Sequence, residues 1–416
     1  MTVGAGRPVG YRPGVTKPAG PRPAIDVDRV RADTPGLTRR IHLNHAGASP
    51  SPQRVLDTVI DHLRLEAEIG GYEAAAARAD AVDGTYRSVA RLLGCDRAEI
   101  ALATSATAGW EQAFWSLPWS SGDVVLTSHA EYVSNALSLL LARDRLGIEI
   151  RVVPDDEFGQ FDVHVLERML EDPAVALVAV THVPTQGGLV NPAAAIGVRC
   201  RAAGVPFLLD ACQSVGQLPT RVDDLGCDLL SATGRKYLRA PRGTGFLYVR
   251  AAMLDAMSPV FADAGSATWT GPTTYEFAAG ATRFESWERS VAGVLGLGAA
   301  VDYALDLGLE AIGARIGPLA ERLRGGLDAV PGVTVRDRGR QRCGIVTFTV
   351  DGHDPEDVRT ELAGQDVSVW VTSAAQARFD LDERGIETMV RASLHYTTTD
   401  DELDRVTGLV GAIAAR

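Results

Sequence analysis

The sequence predicts an α/β protein: a large domain on a mainly parallel seven-stranded sheet, followed by a smaller α+β C-terminal domain. Three observations predict it. Short apolar runs alternate with helical stretches between about 100 and 249, the pattern of a parallel sheet covered on both faces. Hydroxyl, carboxylate and basic side chains cluster just after those runs, where the carboxyl ends of the strands of such a sheet gather. After Pro331 the rhythm changes to strands with fewer helices between them. The chain has 416 residues, 46% of them hydrophobic, which is enough for one large core and one small one.

Residues 1–23 are rich in Gly and Pro and carry Arg7, Arg12, Lys17 and Arg22. This composition predicts a flexible tail, with a docking role for the basic residues as the alternative. The start lacks the apolar core of a signal peptide, and no apolar run approaches the roughly 20 residues that span a bilayer. The five cysteines, Cys95, Cys200, Cys212, Cys227 and Cys343, contain no CxxC pair. That argues against a zinc or disulfide framework and for small buried hydrophobes in a reducing compartment, hence a cytoplasmic protein. A net charge of −12 argues against nucleic-acid or anionic-membrane partners and leaves a small molecule as the expected one.

Ordered structure is expected from Ala24, with a short helix over 27–34, an extended segment ending in the turn Asn44-His45-Ala46-Gly47, and helices over 52–68 and 74–93. Residues 24–70 form a segment lying on the cleft and the small domain. The large domain, 71–290, contributes strands over 100–104, 124–127, 148–153, 175–181, 207–210, 229–232 and 245–249. The small domain, 291–416, opens with helix to about 329. Strands over 333–336, 345–350, 367–371 and 390–393 follow, with helices over 355–362 and 400–415.

The chemistry-bearing residues sit at the strand ends. Ala106 and Thr107 open a helix after the first strand, an ordinary helix start or a phosphate site. Tyr132 follows the next strand, placed either to stack on a ring or to fill core. Thr185 lies in a turn after the fourth, either lining a pocket or only turning the chain. Asp210 and Gln213 follow the fifth. Thr233, Arg235 and Lys236 end the sixth. A buried lysine can form an imine with an aldehyde, and a strand-end aspartate can hold a pyridine nitrogen protonated. Alone, each has a plainer reading: a solvated lysine, a capping aspartate. Together they point to pyridoxal 5'-phosphate (PLP).

These separated motifs, in this order, resemble the class V aminotransferase family of PLP enzymes, which contains cysteine desulfurases, isopenicillin N epimerase-like proteins and C–S lyases. The likeness runs from about Leu43 to the C-terminus. It implies the PLP-dependent transferase fold of type I and a homodimer. It implies that Lys236 carries the cofactor, that Thr233, Arg235, Ala106 and Thr107 bind its phosphate, and that Tyr132 stacks on its ring. It places Asp210 on the ring nitrogen, Gln213 near the ring hydroxyl and Arg391 on the substrate carboxylate. Histidine often stands in relatives where this chain has Arg235 or Tyr132.

Two departures bear on the reaction. Relatives that are cysteine desulfurases carry a nucleophilic cysteine on a loop shortly before the arginine that maps to Arg391, and 367–388 contains none. The segment Arg283-Phe284-Glu285-Ser286-Trp287-Glu288 replaces a Gly-Thr pair by Trp287 and Glu288, so Glu288 is read as a substrate residue or as one partner of an interface ion pair. The stretch from Leu65 to Tyr72 resembles the sulfoxide C–S lyases of ergothioneine biosynthesis, and antibiotic-pathway enzymes acting on cysteine S-conjugates share the general layout. The expected reaction is therefore Cα deprotonation and β-elimination on a cysteine S-conjugate, with Asn44, His45 and Thr185 lining the substrate pocket; for His45 a capping role is the alternative. Decarboxylating oxidative deamination, transamination and epimerisation are the alternatives. Desulfurase chemistry and cofactor binding without turnover come after them.

Overall fold

The computed structural model describes residues 24–416, so the tail expected over 1–23 lies outside the described residues. The chain enters through α1 (Val27–Ala32), whose first turn is capped by Asp26 accepting from the Arg29 N–H, and then β1 (Ile41–His42). Three helices follow: α2 (Gln53–Ile69), α3 (Gly71–Ala77) and α4 (Ala79–Leu93). The single helix expected over 74–93 is thus two, because Arg78 leaves helical dihedrals. α4 ends at Gly94 in the left-handed conformation, a helix stop that glycine adopts without steric cost.

The large sheet is built from β2 (Ile100–Ala103), β3 (Val124–Ser128), β4 (Glu149–Val153), β5 (Val175–Thr181), β6 (Phe207–Asp210), β7 (Leu229–Thr233) and β8 (Gly245–Val249). Between them run α5 (Ala106–Trp115), α6 (Val133–Leu146), α7 (Val163–Met169), α8 (Ala193–Ala203) and α9 (Val222–Leu225). The strand order is β2-β8-β7-β6-β5-β3-β4, parallel except for β8, which runs antiparallel to both neighbours. Seven strands, mainly parallel, is the architecture expected. β3, β6, β7 and β8 are buried at every residue. Alternate side chains feed different cores: Phe207, Leu209 and Leu230 join one cluster, Leu208 and Leu229 the other. Helices on both faces require this, and it explains why these strands read as continuous apolar runs.

A hairpin, β9 (Ala267–Gly271) and β10 (Thr274–Phe277), has no counterpart in the sequence reading. Its strands are exposed or half-buried throughout and Trp269 faces Tyr275 in solvent, so no hydrophobic alternation marks it. The helical stretch after 290 is α10 (Val291–Leu307) and α11 (Leu309–Asp328), bent by 78° at Gly308. α10 sends Val294, Leu297 and Val301 into the large core, whereas α11 sends Leu319, Leu323 and Leu327 into the small one. The first turns of α11 still feed the large core through Leu309, Ile312 and Ile316, so the helix passes from one core to the other within its length. Among the described residues no single helix is long and apolar enough to cross a membrane.

The small domain contains β11 (Val333–Val335), β12 (Ile345–Val350), α12 (Pro355–Gly364), β13 (Val367–Ser368), β14 (Trp370–Ser373), α13 (Arg378–Leu381), β15 (Thr388–Ser393) and α14 (Asp400–Ala414). Its antiparallel sheet has the order β11-β12-β15-β14. The strand expected over 367–371 is divided: β13 pairs in parallel with β1, and β14 pairs with β15. The N-terminal arm is thereby stitched onto the small domain. Leu43 N–H donates to the Ser368 carbonyl, Ser393 N–H to the Leu43 carbonyl, and the Ser393 hydroxyl accepts from Ala46 N–H at 2.9 Å.

Gly245 opens β8 where the start of α5 crosses it. A Cβ there would lie 2.6 Å from the Ala232 carbonyl oxygen and 2.8 Å from the Ser105 carbonyl carbon, both backbone atoms. Gly245→Ala is expected to destabilise the protein by about 2 kcal/mol. It should also displace the start of α5, so PLP binding falls together with the melting temperature; unchanged affinity at lowered stability would show that α5 does not depend on this contact.

Candidate active site

The strand carboxyl ends, the N-terminal arm and β15 converge on one cleft. Lys236 follows β7 and is buried, 5% exposed. Burial lowers its pKa; Cys212 and Asp210 oppose that shift, and Arg235 adds to it. Its ammonium is hydrogen-bonded to the Cys212 thiol and stands 5.9 Å from the centre of the Tyr132 ring. Tyr132 is half-buried and forms the N-cap position of α6. The turn after the lysine closes with Arg239 at φ 65°, an uncommon conformation for a residue with a side chain. Arg239 is held there by Tyr396 (2.7 Å), by the Pro50 carbonyl (3.0 Å) and by Thr34.

Asp210 ends β6 and is buried. Its Oδ2 accepts from Asn135 Nδ2 at 2.9 Å and its Oδ1 from the Cys212 N–H at 2.9 Å. Burial raises its pKa, while these hydrogen bonds and the charge of Lys236 oppose the rise. Gln213 donates from Nε2 to Thr185 Oγ1 (2.8 Å) and the Ala46 carbonyl (3.1 Å), and its Oε1 is buried without a partner.

Arg391 lies on β15, 4% exposed. Its Nη1 donates to the carbonyl and hydroxyl of Thr185, both at 2.9 Å, and its Nη2 to Asn44 Oδ1 at 3.2 Å. Its Nε is buried and unpartnered. Desolvation lowers its pKa to about 10, and among the described residues no carboxylate pairs with it. Gly47 makes room for this contact: a Cβ there would sit 2.5 Å from Asn44 Oδ1.

The structure thus brings Lys236, Asp210, Gln213, Tyr132, Thr185, Arg391 and Asn44 together. Ala106 and Thr107 form the first turn of α5, where Ser105 caps the Ala108 N–H (3.1 Å). Thr233 spends its hydroxyl proton on the Thr244 carbonyl (3.1 Å), and Arg235 donates to the Gly47 carbonyl. His45 is engaged within the N-terminal arm. Its Nδ1 bonds Ser49 Oγ at 2.8 Å, and its ring packs 4.7 Å from those of both His42 and His395. It braces the arm, while its neighbour Asn44 reaches Arg391. Glu288 is exposed on the rim of a separate cavity of about 280 Å³ shared with Thr104, Gln112, Thr244 and Arg289, which Lys236, Asp210 and Arg391 do not line.

Residues the sequence reading passed over complete the site. Cys212 touches Lys236, Asn135 holds Asp210, and Glu131 holds Asn135 at 2.9 Å. The signal for Asn135 is its place one helical turn past Glu131 at the start of α6. At the cleft mouth His129 lies 3.5 Å from Asp155 and 3.3 Å from Glu383 of the small domain.

The donor set fits PLP. A buried carboxylate with no ion pair among the described residues suits a protonated ring nitrogen. An unpartnered Gln213 oxygen and a helix start suit the ring hydroxyl and the phosphate. A buried lysine of lowered pKa suits an aldehyde. A guanidinium without a carboxylate suits that of an amino acid.

Comparison with known proteins agrees. Residues 41–406 match the family "Aminotransferase class-V". A cysteine desulfurase of Dickeya dadantii is 31% identical over 400 residues, covering 91% of this chain and 95% of its own length. A probable cysteine desulfurase of Methanothermobacter thermautotrophicus is 27% identical over 383 residues, covering 90% and 94%. Among solved structures, apo cysteine desulfurase from Thermococcus onnurineus superposes with a TM-score of 0.87 at 25% identity over 93% of this chain and 98% of that one. The cystine C–S lyase C-DES with its reaction product cysteine persulfide gives 0.82 at 25% identity, covering 91% and 99%.

Two predictions follow from the charges. Replacing a buried, carboxylate-free guanidinium by an apolar side chain of similar length removes a desolvation cost. Arg391→Met should therefore melt no lower than wild type, while KM for the amino-acid substrate rises about 10- to 100-fold, the worth of a charge-assisted hydrogen-bond pair. A large loss of stability would mean that Arg391 is structural.

The second concerns His129. The Asp155 carboxylate 3.5 Å away raises its pKa against the opposing effect of burial, and Glu383 and Asp380 add to the rise. A raised histidine pKa stabilises fully below the unfolded value of about 6.5 and loses that contribution as pH rises through the folded value. Hydrogen exchange of residues 374–387 should accelerate across that window in wild type and be fast and pH-insensitive, beyond intrinsic chemistry, in His129→Gln.

Proposed function

Because the chain belongs to the class-V aminotransferase family, we propose that it is a PLP-dependent C–S lyase that deprotonates Cα of a cysteine-derived amino acid and expels the β-sulfur without forming a persulfide on its own chain. PLP dependence and lyase-type chemistry come with the family and its relatives. The finer reading rests chiefly on one observation: no cysteine follows Cys343, so the loop before Arg391 offers no thiol, and burial raises Cys343 itself to about 12.

Arg391 grips the substrate carboxylate, with Asn44 and Thr185 fixing the plane of its guanidinium. That orientation decides which Cα bond is aligned for cleavage. Bound PLP supplies the electron sink for the Cα carbanion. Asp210 holds the proton at the ring nitrogen, and Asn135 and the Cys212 N–H keep its oxygens aimed. Lys236 would hold the cofactor and, as a free amine, would take the Cα proton on Nζ; its lowered pKa makes that amine available as the base. The Cβ–S bond then breaks, sulfur leaves with the electron pair, and the released enamine hydrolyses to pyruvate and ammonia. Tyr132, Gln213, Thr233, Arg235, Ala106 and Thr107 are assigned to the cofactor and Thr185 to the substrate side of the cleft.

A homodimer in a reducing compartment is part of this reading. Trp287, Trp269, Tyr275 and Tyr72 are exposed, and all five cysteines are free. Glu288, beside Trp287, is assigned to that interface.

One observation favours a second reading. Cys212 lies against Lys236, and the relatives named above as cysteine desulfurases suggest it as a sulfur acceptor. The two readings separate in one assay. S-alkyl cysteines should give equimolar pyruvate and thiol, and Cys212→Ser should keep kcat within about threefold, far less than the loss expected for a covalent nucleophile. Alanine or an amino-acid isomer as product, or loss of turnover in Cys212→Ser, would overturn the elimination reading.

A further inference from the structure

Behind Asp210 lies a second buried carboxylate that the mechanism above does not use. Glu131, 3% exposed, follows β3 and precedes Tyr132. Its two oxygens collect five donors: Thr127 Oγ1 (3.1 Å), Tyr132 N–H (2.8 Å), Asn135 Nδ2 (2.9 Å), Thr181 N–H (3.2 Å) and the Thr181 hydroxyl. Among the described residues no cation is near enough to pair with it. Asn135 Nδ2 is shared between Glu131 Oε1 and Asp210 Oδ2, both at 2.9 Å. An amide has two N–H hydrogens and can serve both acceptors only if its carbonyl oxygen points away from both. Glu131 thus fixes the orientation in which Asn135 donates to Asp210.

We propose that Glu131 is a positioning residue for the cofactor: through Asn135 it aims the Asp210 carboxylate at the ring nitrogen, and its charge sets the field that the ring nitrogen feels. This rests on the PLP reading of the cleft, but not on which sulfur compound is the substrate.

The groups facing this relay are few. Asp210 on β6 is the charge acting on Glu131, with Lys236 and Cys212 on the far side of Asp210. His182, next to Thr181, is kept neutral by burial, its pKa lowered to about 4. Burial raises Glu131 to about 7, helped by Asp210 and opposed by its hydrogen bonds to Thr181, Asn135 and Tyr132. Glu131 is therefore the carboxylate of this relay whose charge is expected to respond to pH near neutrality. When ionised, it adds negative charge behind Asp210 and strengthens the hold on a ring-nitrogen proton.

The test uses the full-length protein loaded with PLP. The visible absorption band is titrated from about pH 5.5 to 9 and the PLP dissociation constant measured at both ends. Wild type should show a spectral step near pH 7 and bind PLP more tightly above it. Glu131→Gln should lose the step and bind PLP about tenfold more weakly at the upper end, the scale of one charge-assisted hydrogen bond. Asn135→Ser, which removes the bridge but keeps the Glu131 charge, should keep a step yet bind PLP about tenfold more weakly, and wild-type PLP affinity in Asn135→Ser overturns the proposal if Glu131→Gln does not fold. A folded Glu131→Gln with the wild-type step and affinity overturns the proposal. So does a variant of lowered melting temperature whose step and affinity are intact, which would make the residue purely structural. A protein that binds no PLP at all would instead sink the cofactor reading beneath it.

Discussion

A guanidinium buried without a carboxylate is the constraint on which the rest of the cleft depends. Arg391 has been taken out of water and given only neutral oxygens, from Thr185 and Asn44. The fold tolerates this because three separate segments are tied together around it. β15 supplies the arginine, the turn after β5 supplies Thr185, and the N-terminal arm supplies Asn44. The arm is in turn pinned to β13 and β15 by backbone bonds and to the lysine turn by the bonds of Gly47 and Ser49 with Arg235. A charge left unpaired at this cost reads as a site awaiting an anion, and an amino-acid carboxylate satisfies it with little rearrangement.

The same logic runs through the large domain with the sign reversed. Asp210 is a buried carboxylate with no ion pair among the described residues, and Lys236 is a buried amine steered toward neutrality. The parallel sheet brings these two groups to the same edge, since β6 and β7 are adjacent, and β15 of the small domain brings Arg391 to the cleft. With Arg391 demanding a carboxylate, Asp210 a protonated ring and Lys236 an aldehyde, the three demands together define an amino acid bound to PLP more narrowly than any one of them.

Much of this was legible in the chain. Lys236, Asp210 and Thr185 each follow a fully or nearly apolar strand, so the end of the hydrophobic run marks their place in the sheet. Arg391 was harder, because it lies inside a strand of an antiparallel sheet and only likeness to a family picks it out. Other features were hidden for definite reasons. Cys212 looks like any small buried residue until the turn after β6 sets it against Lys236. Glu131 and Asn135 are polar residues at an ordinary helix start, and the bond from Asn135 to Asp210 crosses 75 positions of sequence. His45 and Asn44 are neighbours whose side chains diverge, one toward a histidine cluster and one toward Arg391. The β9–β10 hairpin carries no alternation because neither face is covered.

The central claim is that sulfur leaves the substrate without passing through a thiol of this protein. Four of the five cysteines, Cys95, Cys200, Cys227 and Cys343, are held near 12 by burial, and the fifth sits beneath the lysine. Intact-mass spectrometry of the enzyme quenched during turnover of L-cystine tests this most directly. The account predicts that the protein mass stays unchanged while sulfur accumulates in small-molecule product. A protein heavier by one sulfur atom, restored to its original mass by a reducing thiol and localised to Cys212, would contradict it.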